Sequence, residues 1–329
     1  MKRTINLEDL MNPERRWLLA AGAAALLPAC GTAARKPDTL AEVDIYSAGA
    51  GGAFLPYAQG LARVLAGQGV ASRALESSGS IENVRKVDAE PQRLGTVFLG
   101  TAFEGVTGSG AWAQGRKHGN IRALFPMYET SFQLVALRSA KIDSVGGLAG
   151  KRVGVGPAGG PAESYFKGLM AGLGLNATLV AGTPAALSQD VLAGRIDALW
   201  QGASVPIPPI QEIANQADAA VFGLTASESA VMLRTFPFLS AATVPAGTYR
   251  GQTQPLASIA AWNFVVAHQA LPEAHAYWIT RTVLGLADPR VIASSAAPTR
   301  AANAVHNQVV PFHAGALRYY REQGISGLV

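Results

Sequence analysis

The stretch Val43-Asp44-Ile45-Tyr46-Ser47-Ala48-Gly49-Ala50-Gly51-Gly52-Ala53-Phe54-Leu55-Pro56 runs from an apolar segment through a glycine turn into the start of a helical pattern. Leu61, Val64 and Leu65 continue at helical spacing, so the stretch reads as strand, turn and helix. Such a turn aims backbone N–H groups at whatever lies above it. Glycines let the main chain come close to a ligand, Pro56 suits a first helical turn, and the helix dipole favours a negative or polar group there. A βα turn that binds nothing has the same signature, so the stretch alone speaks for an architecture and not for a use.

The same unit recurs along the chain. Residues 71–76 form a strand candidate, and Ser77-Ser78-Gly79-Ser80 leads into Ile81, Val84 and Val87 at helical spacing, with Ser80 as N-cap. Residues 94–99 make a compact apolar strand followed by a glycine-rich segment, 100–110. Residues 121–127 and 132–137 read as two strands, and 142–155 as a short helix, a turn and a buried strand feeding the glycine-rich 156–160. Pro161 then opens a helix with Tyr165, Phe166, Leu169, Met170 and Leu173 on one side. Residues 187–192, 195–200 and Pro206-Ile207-Pro208-Pro209 continue the alternation, 258–268 is a long apolar strand, and helical patterns at 273–286 and 301–309 precede a closing segment, 311–322. Alternating βα units predict parallel-rich sheets flanked by helices, here in two lobes.

Composition narrows the class. A chain of 329 residues with 49% hydrophobic content has ample material for packed cores. Charged residues are only 15%, and the net charge of +5 is spread rather than clustered, which speaks against nucleic-acid binding. The N-terminus reads as a targeting segment: Lys2, Arg3, Arg15 and Arg16 precede an uncharged run, 17–29, too short to span a bilayer. Leu27-Pro28-Ala29-Cys30 resembles a bacterial lipobox, and Arg15-Arg16-Trp17-Leu18-Leu19 resembles a twin-arginine export signal with Glu14 where that motif prefers Ser or Thr. Cys30 is the only cysteine, so no intrachain disulfide forms, and the position predicts lipidation. The expected organisation is an export signal over 1–29, a flexible tether over 30–39, and a mature protein tethered outside the cytoplasmic membrane.

Catalytic and cofactor motifs are thin. Gly154-Val155-Gly156-Pro157-Ala158-Gly159 fits G-x-G-x-x-G, but no acidic residue follows at the ribose-binding distance, and Asp190 is too far. The five histidines, His118, His268, His275, His306 and His313, lack metal-ligand spacing, and no serine-hydrolase elbow or P-loop occurs. Glu82, Glu104, Glu129 and Glu163 read as single acids on solvated faces. With no nucleophile, base and oxyanion donor in one pattern, the expectation is a non-enzymatic binding protein without metal or cofactor, whose ligand sits where helices begin beyond the strand ends.

Six segments in order resemble the TAXI-type solute receptors of tripartite ATP-independent periplasmic (TRAP) transporters. Residues 47–56 resemble the T-G-G-T-G-G-x-Y-Y-P turn, and Ser78-Gly79-Ser80-Ile81-Glu82-Asn83-Val84 the S-G-G-S-x-E-N segment. Residues 142–155 resemble S-L-x-D-L-x-G-K-x-V, Gly194-Arg195-Ile196-Asp197-Ala198-Leu199-Trp200 resembles G-K-I-D-A-F-F, Val244-Pro245-Ala246-Gly247-Thr248-Tyr249 is family-like, and Pro311-Phe312-His313-Ala314-Gly315-Ala316-Leu317-Arg318-Tyr319-Tyr320 resembles P-x-H-x-G-A-x-x-Y-Y.

The resemblance implies a type II periplasmic-binding-protein fold: α/β, with lobe I over 40–132 plus 265–329, lobe II over 133–264, and crossing strands near 132–137 and 259–267. It also implies a small organic solute as ligand and a TRAP-type membrane permease as partner. The residues it places at the ligand are Gly49, Ala50, Gly51, Phe54, Tyr57, Ser78, Gly79, Ser80, Phe98, Gly100, Gly159, Gly160, Ala162, Glu163, Trp200 and Gln201. Family ligands are small organic acids, but five usually polar places are altered here. They fall on Ala50, on Phe54, on the Phe98-Leu99-Gly100 triplet, on Gly160 with Ala162, and on Ile207. Each hydrogen bond left unmade to a buried carboxylate costs roughly 1–3 kcal/mol, so the expected ligand is larger or more apolar, gripped by Phe54, Tyr57, Phe98 and Trp200. Glu163 faces either an amine or its own helix dipole. A receptor that has lost transport and serves sensing or partner binding is the alternative.

Overall fold

Strand β1 (Asp44–Tyr46) lies between β2 (Ala74–Leu75) and β3 (Arg93–Phe98), parallel to both, with Ile45 fully buried. The computed structural model describes residues 35–49 and 53–329. The export segment, Cys30 and the turn residues Ala50, Gly51 and Gly52 lie outside them. Helix α1 (Phe54–Gly67) follows the turn and buries Leu55, Tyr57, Ala58, Leu61 and Leu65, the face that the helical spacing marks. Each large apolar side chain buried in this way contributes roughly 1.5–3 kcal/mol relative to exposure.

The remaining strands extend one hydrogen-bonded sheet. β3 pairs antiparallel with β10 (Leu256–His268), which pairs with β4 (Ile121–Leu137), then come β7 (Ala198–Ala203), β5 (Arg152–Gly154) and β6 (Thr178–Val180). β8 (Ala219–Phe222) adds to β4, and β9 (Leu239–Val244) to β10. β4 and β10 cross between the two halves. β10 pairs with β9 over Leu256 to Ala261 and with β3 over Asn263 to Ala267, while β4 meets β7 only from Ser131 onward. Register shifts in the β4–β10 ladder fall between Trp262 and Phe264 and between Val265 and Val266. Residues 121–127 and 132–137 are therefore one strand, because Glu129, Thr130 and Ser131 keep pairing with Trp262, Ala261 and Ala260. Both crossing strands are buried along most of their length, as strands covered on two faces must be.

Helices cover both halves. On the half of the sheet with β1–β3, called lobe I below, lie α1, α2 (Ser80–Ala89), α3 (Leu99–Thr107), α8 (Glu273–Leu284) and α9 (Ala314–Glu322); on the half with β5–β9, called lobe II, lie α4 (Pro161–Leu173), α5 (Pro184–Leu192), α6 (Pro208–Gln216) and α7 (Ala226–Thr235). The glycine-rich 100–110 is mostly α3 and not a loop: Gly100 and Gly105 sit on its buried face, where neighbours leave no room for a side chain, and Gly108, at φ +75°, ends it. Ser80 is the first residue of α2 rather than its N-cap; Gly79 holds the cap position at φ +112°, a conformation open mainly to glycine. The 301–309 pattern resolves into a 3-10 helix, Ala301–His306. Helix α4 begins at Pro161, ends at the left-handed Gly174, and buries Ala162, Tyr165, Phe166, Leu169 and Met170, with Leu173 half-buried. Among the described residues no helix is long and apolar enough to cross a membrane.

Candidate functional site

The ends of β3 and α2 are tied by a single buried side chain. Asn83 donates to the carbonyls of Ser47 (2.5 Å) and Thr96 (2.7 Å), and its own carbonyl oxygen accepts from the Ser77 hydroxyl (2.7 Å). Glu82, one residue earlier, accepts from the backbone N–H (2.9 Å) and hydroxyl (2.8 Å) of Ser78. These bonds, the backbone one first, hold its carboxyl below the usual range. Ser80 Oγ accepts from the Phe98 N–H at 3.0 Å and so sets where Phe98 leaves the sheet. The Ser78 to Asn83 segment thus spends most of its polar groups on building the wall.

Beyond Phe98, α3 turns Leu99, Ala102 and Gly105 inward, which leaves Thr101 and Glu104 on the opposite side. Glu104 Oε2 accepts from the Trp112 indole N–H at 2.8 Å. Trp112 is in turn fixed by His118, stacked at 5.3 Å, and by Arg85, which lies 5.4 Å from its ring and donates to its carbonyl at 2.8 Å. Facing this wall is the start of α4. The Trp200 indole N–H donates to the Ala162 carbonyl (3.0 Å), and its ring stacks on Phe132 of β4 at 5.4 Å. Phe132 in turn packs edge-on to Tyr165 at 5.2 Å.

Between the walls lies a cleft of about 250 Å³, lined on the lobe I side by Ile81, Phe98, Gly100, Thr101, Glu104 and Trp112, and on the lobe II side by Gly159, Gly160, Pro161, Ser164 and Tyr165. The lobes touch beside it. Phe98 stacks on Tyr165 at 6.1 Å, while Phe238 of lobe II reaches Phe103 (5.8 Å) and Phe98 (6.4 Å) of lobe I. Burial, reinforced by the Glu104 charge, pushes the Tyr165 phenol well above its ordinary value, so it stays neutral. Among the described residues the lining offers one carboxylate, two aliphatic hydroxyls, a phenol and aromatic surface, with no Lys, Arg, His or Cys. That inventory suits holding a molecule rather than transforming one. Among the described residues no group of three or more His, Cys, Asp or Glu could hold a metal.

Of the residues predicted from sequence, the structure brings Phe98, Gly100, Gly159 and Gly160 to this cleft. Ser78, Gly79 and Ser80 stand just behind its lobe I wall, with both serine hydroxyls already partnered. Ala162 is nearly buried and supports the other wall. Tyr57 and Trp200 are fully buried and cannot present a surface to a solute. The Tyr57 hydroxyl pairs with Thr299 Oγ1 at 2.8 Å, and its ring packs behind Tyr128. Gln201, next to Trp200 on β7, is nearly buried with its Oε1 unpartnered among the described residues, and it is not one of the residues that line the cleft. Phe54 packs against Tyr128 at 6.4 Å, and Gly49 is exposed; neither lines the cleft. Ala50, Gly51 and Cys30 lie outside the described residues.

Among the four acids read as solvated, Glu163 and Glu104 carry the main differences. Glu163 accepts from the Gly159 N–H (2.6 Å) and pairs with Lys167 (2.5 Å), which together hold its carboxyl low, Lys167 first; it closes its own loop and is not among the residues that line the cleft. Glu104 lies in the cleft. Glu129, on a crossing strand, is half-buried, and burial pushes its carboxyl up. Sequence reading did not place Ile81, Thr101, Trp112, Pro161, Ser164 or Tyr165 at a ligand, and it read Glu104 as a solvated acid. The signal was the three-residue offset from Thr101 to Glu104 opposite the inward Leu99, Ala102 and Gly105, obscured by the glycines around it.

The model of the NMT1-like family matches residues 45–324. A TctC solute-binding protein from Polaromonas superposes with a TM-score of 0.50 at 12% identity, covering 86% of this chain and 95% of that one. This likeness assigns the two-lobed fold of the periplasmic binding proteins. MatC from Rhodopseudomonas palustris with bound malate gives a TM-score of 0.47 at 16% identity, over 78% of this chain and 89% of its own. A structure described as a periplasmic transporter gives 0.48 at 14% identity, over 86% and 92%.

Proposed function

We propose that this chain, which belongs to the NMT1-like family, is an extracytoplasmic solute receptor of the TAXI type. It captures a small organic solute between its lobes and presents it to a TRAP-type membrane permease. The observation that carries this reading is the cleft itself: walls from the two lobes face each other across about 250 Å³, and the lobes are joined by the crossing strands β4 and β10. A solute that touches both walls stabilises the closed arrangement over the open one, and a permease can read that difference. The six ordered motifs supply the TAXI assignment. The lipobox-like Leu27-Pro28-Ala29-Cys30 supplies export to the periplasm with a lipid anchor at Cys30.

The ligand departs from the family's small dicarboxylates, because aromatic rings make up much of the cleft, the Gly159 and Gly160 N–H groups are internally bonded, and among the described residues no basic side chain lines it. Phe98, Gly100, Gly159 and Gly160 are retained as ligand contacts, joined by Thr101, Glu104, Ser164 and Tyr165.

Thermal-shift screening of the purified protein against organic acids, amino acids, aromatic acids and amines tests the reading. A solute that binds the native state raises the melting temperature progressively with concentration. Stabilisation by one chemical class, together with a smaller radius of gyration in solution scattering, is the expected result. No response to any class would remove the receptor assignment.

A further inference from the structure

We propose, resting on the solute-receptor reading, that the cleft selects an amine-bearing solute whose protonated nitrogen is anchored by the Glu104 carboxylate beside the rings of Phe98 and Tyr165. Glu104 is the only charged residue in the lining. Its Oε2 is fixed by the Trp112 indole, and Oε1 has no hydrogen-bond partner among the described residues. Among the described residues no cation forms an ion pair with it, in contrast to Glu163, which holds Lys167 at 2.5 Å. A half-buried carboxylate with a free oxygen and no counter-ion is an acceptor waiting for a donor, and charge-assisted hydrogen bonds are the strong ones.

Two backbone donors that would favour an acid are spent, while the Thr101 and Ser164 hydroxyls, without a side-chain hydrogen bond among the described residues, serve a solute of either charge. On the lobe II side the Gly159 N–H donates to Glu163 and the Gly160 N–H to the Pro157 carbonyl (3.0 Å). The N-termini of α3 and α4 do point toward the cleft, each equivalent to about half a positive charge. Glu163 answers the α4 dipole from its first turn, whereas α3 has no acid in its first turn and Glu104 lies beyond it, on the cleft side. An anionic solute would meet an uncompensated carboxylate at short range. An ammonium would find one acceptor and two ring surfaces. The first N–H groups of α3 can still receive the carboxylate of a zwitterion, so an organic cation and an amino acid share the same anchoring chemistry.

Matched series separate these outcomes. Binding to the full-length protein is measured by calorimetry and thermal shift for phenethylamine, phenylalanine and 3-phenylpropanoate, and for butylamine, norvaline and pentanoate. The amine or the zwitterion is expected to bind at least about tenfold more tightly than the acid of the same body, and Glu104→Gln to remove that preference while keeping an acceptor for Trp112. Glu322→Gln, at the last residue of α9 where it bonds Tyr277 and Arg318 and does not line the cleft, is expected to leave it unchanged. A preference for the amine over the zwitterion identifies an organic cation; the reverse identifies an amino acid. Equal or tighter binding of the acids, or amine affinity in Glu104→Gln within about twofold of the parent, overturns the inference. So does silence from all six probes. A melting-temperature rise with malate would then show that solute capture stands without the amine anchor, and no rise with malate or any other class would remove both.

Discussion

Asp44 shows how much of the scaffold under the glycine turn rests on single side chains. Only 4% exposed at the start of β1, it pairs with Arg73, before β2, at 2.7 Å and with Arg93 of β3 at 2.7 Å, so one carboxylate clamps three adjacent segments. Burial alone would raise its pKa, but the two guanidinium groups outweigh it and hold the carboxyl below the usual range. A carboxyl with a lowered folded-state pKa adds stability that is present above its unfolded value, about 3.9, and is lost as pH falls through the lower folded one. Asp44→Asn is therefore expected to lower neutral-pH stability by roughly 1–3 kcal/mol, a figure kept small because Arg73 is mostly exposed. It is also expected to flatten the loss of stability below about pH 4. Denaturant titrations at pH 7 and pH 3 check both; an unchanged acid slope would mean that the pair contributes no linkage. Asn83 works by the same logic without charge, joining Ser47, Ser77 and Thr96 from a position with no solvent exposure.

At the scale of elements, the βα alternation was legible because its signal is periodic: β1 with α1, β3, α4, β10 and α8 follow the apolar spacing closely. Periodicity failed where residue choice serves packing instead of propensity. In α3 the glycines make room, Gly105 for Val84 and Gly100 for Phe238 and Phe98, so the segment read only as glycine-rich and its outward Glu104 as an acid on a solvated face. In β4 the polar Glu129, Thr130 and Ser131 looked like a break, although pairing with β10 satisfies their backbone. Burial was misjudged for a related reason. Tyr57 and Trp200 are amphipathic side chains whose single polar atoms find internal partners, Thr299 and the Ala162 carbonyl, and no local pattern reveals that. Tyr249 is the counterpart in lobe II. Its hydroxyl donates to Gln133 of β4 at 2.8 Å and accepts from the Ile207 N–H at 2.8 Å, locking the start of α6 to a crossing strand, and burial pushes its phenol up to about 12. Tyr249→Phe leaves both partners unpaired in a dry site and is expected to cost roughly 2–4 kcal/mol. Because Gln133 alternates with the cleft-side Phe132, ligand affinity is expected to hold. A fall in affinity larger than the fall in melting temperature explains would show that α6 also positions the cleft.

For the whole molecule, capture depends on how closely the lobes approach, and the approach passes through Gly100. A Cβ there would sit 2.8 Å from Phe238 of lobe II and 2.9 Å from Phe98 of lobe I, closer than non-bonded carbons tolerate. The missing side chain is the space into which Phe238 seats. Phe238 also meets Phe103 at 5.8 Å and Tyr165 at 5.8 Å, so displacing it disturbs the contacts that hold the two walls together. Gly100→Leu would put a branched side chain where the aromatic edge now lies, and the cheapest relief is a rigid separation of the lobes about β4 and β10 rather than repacking within either lobe. The expected results are a radius of gyration in scattering that stays large when solute is added, and affinity weakened about tenfold or more, with a far-ultraviolet spectrum that does not change. Gly100→Ala adds only the first atom, which a small ring shift can accommodate, and is expected to fall between the two. The ordering of the three proteins matters more than any one value. If Gly100→Leu contracts on ligand addition as the parent does, closure does not run through the Phe98–Phe238 contact, and the cleft must be completed by another part of the lobe interface.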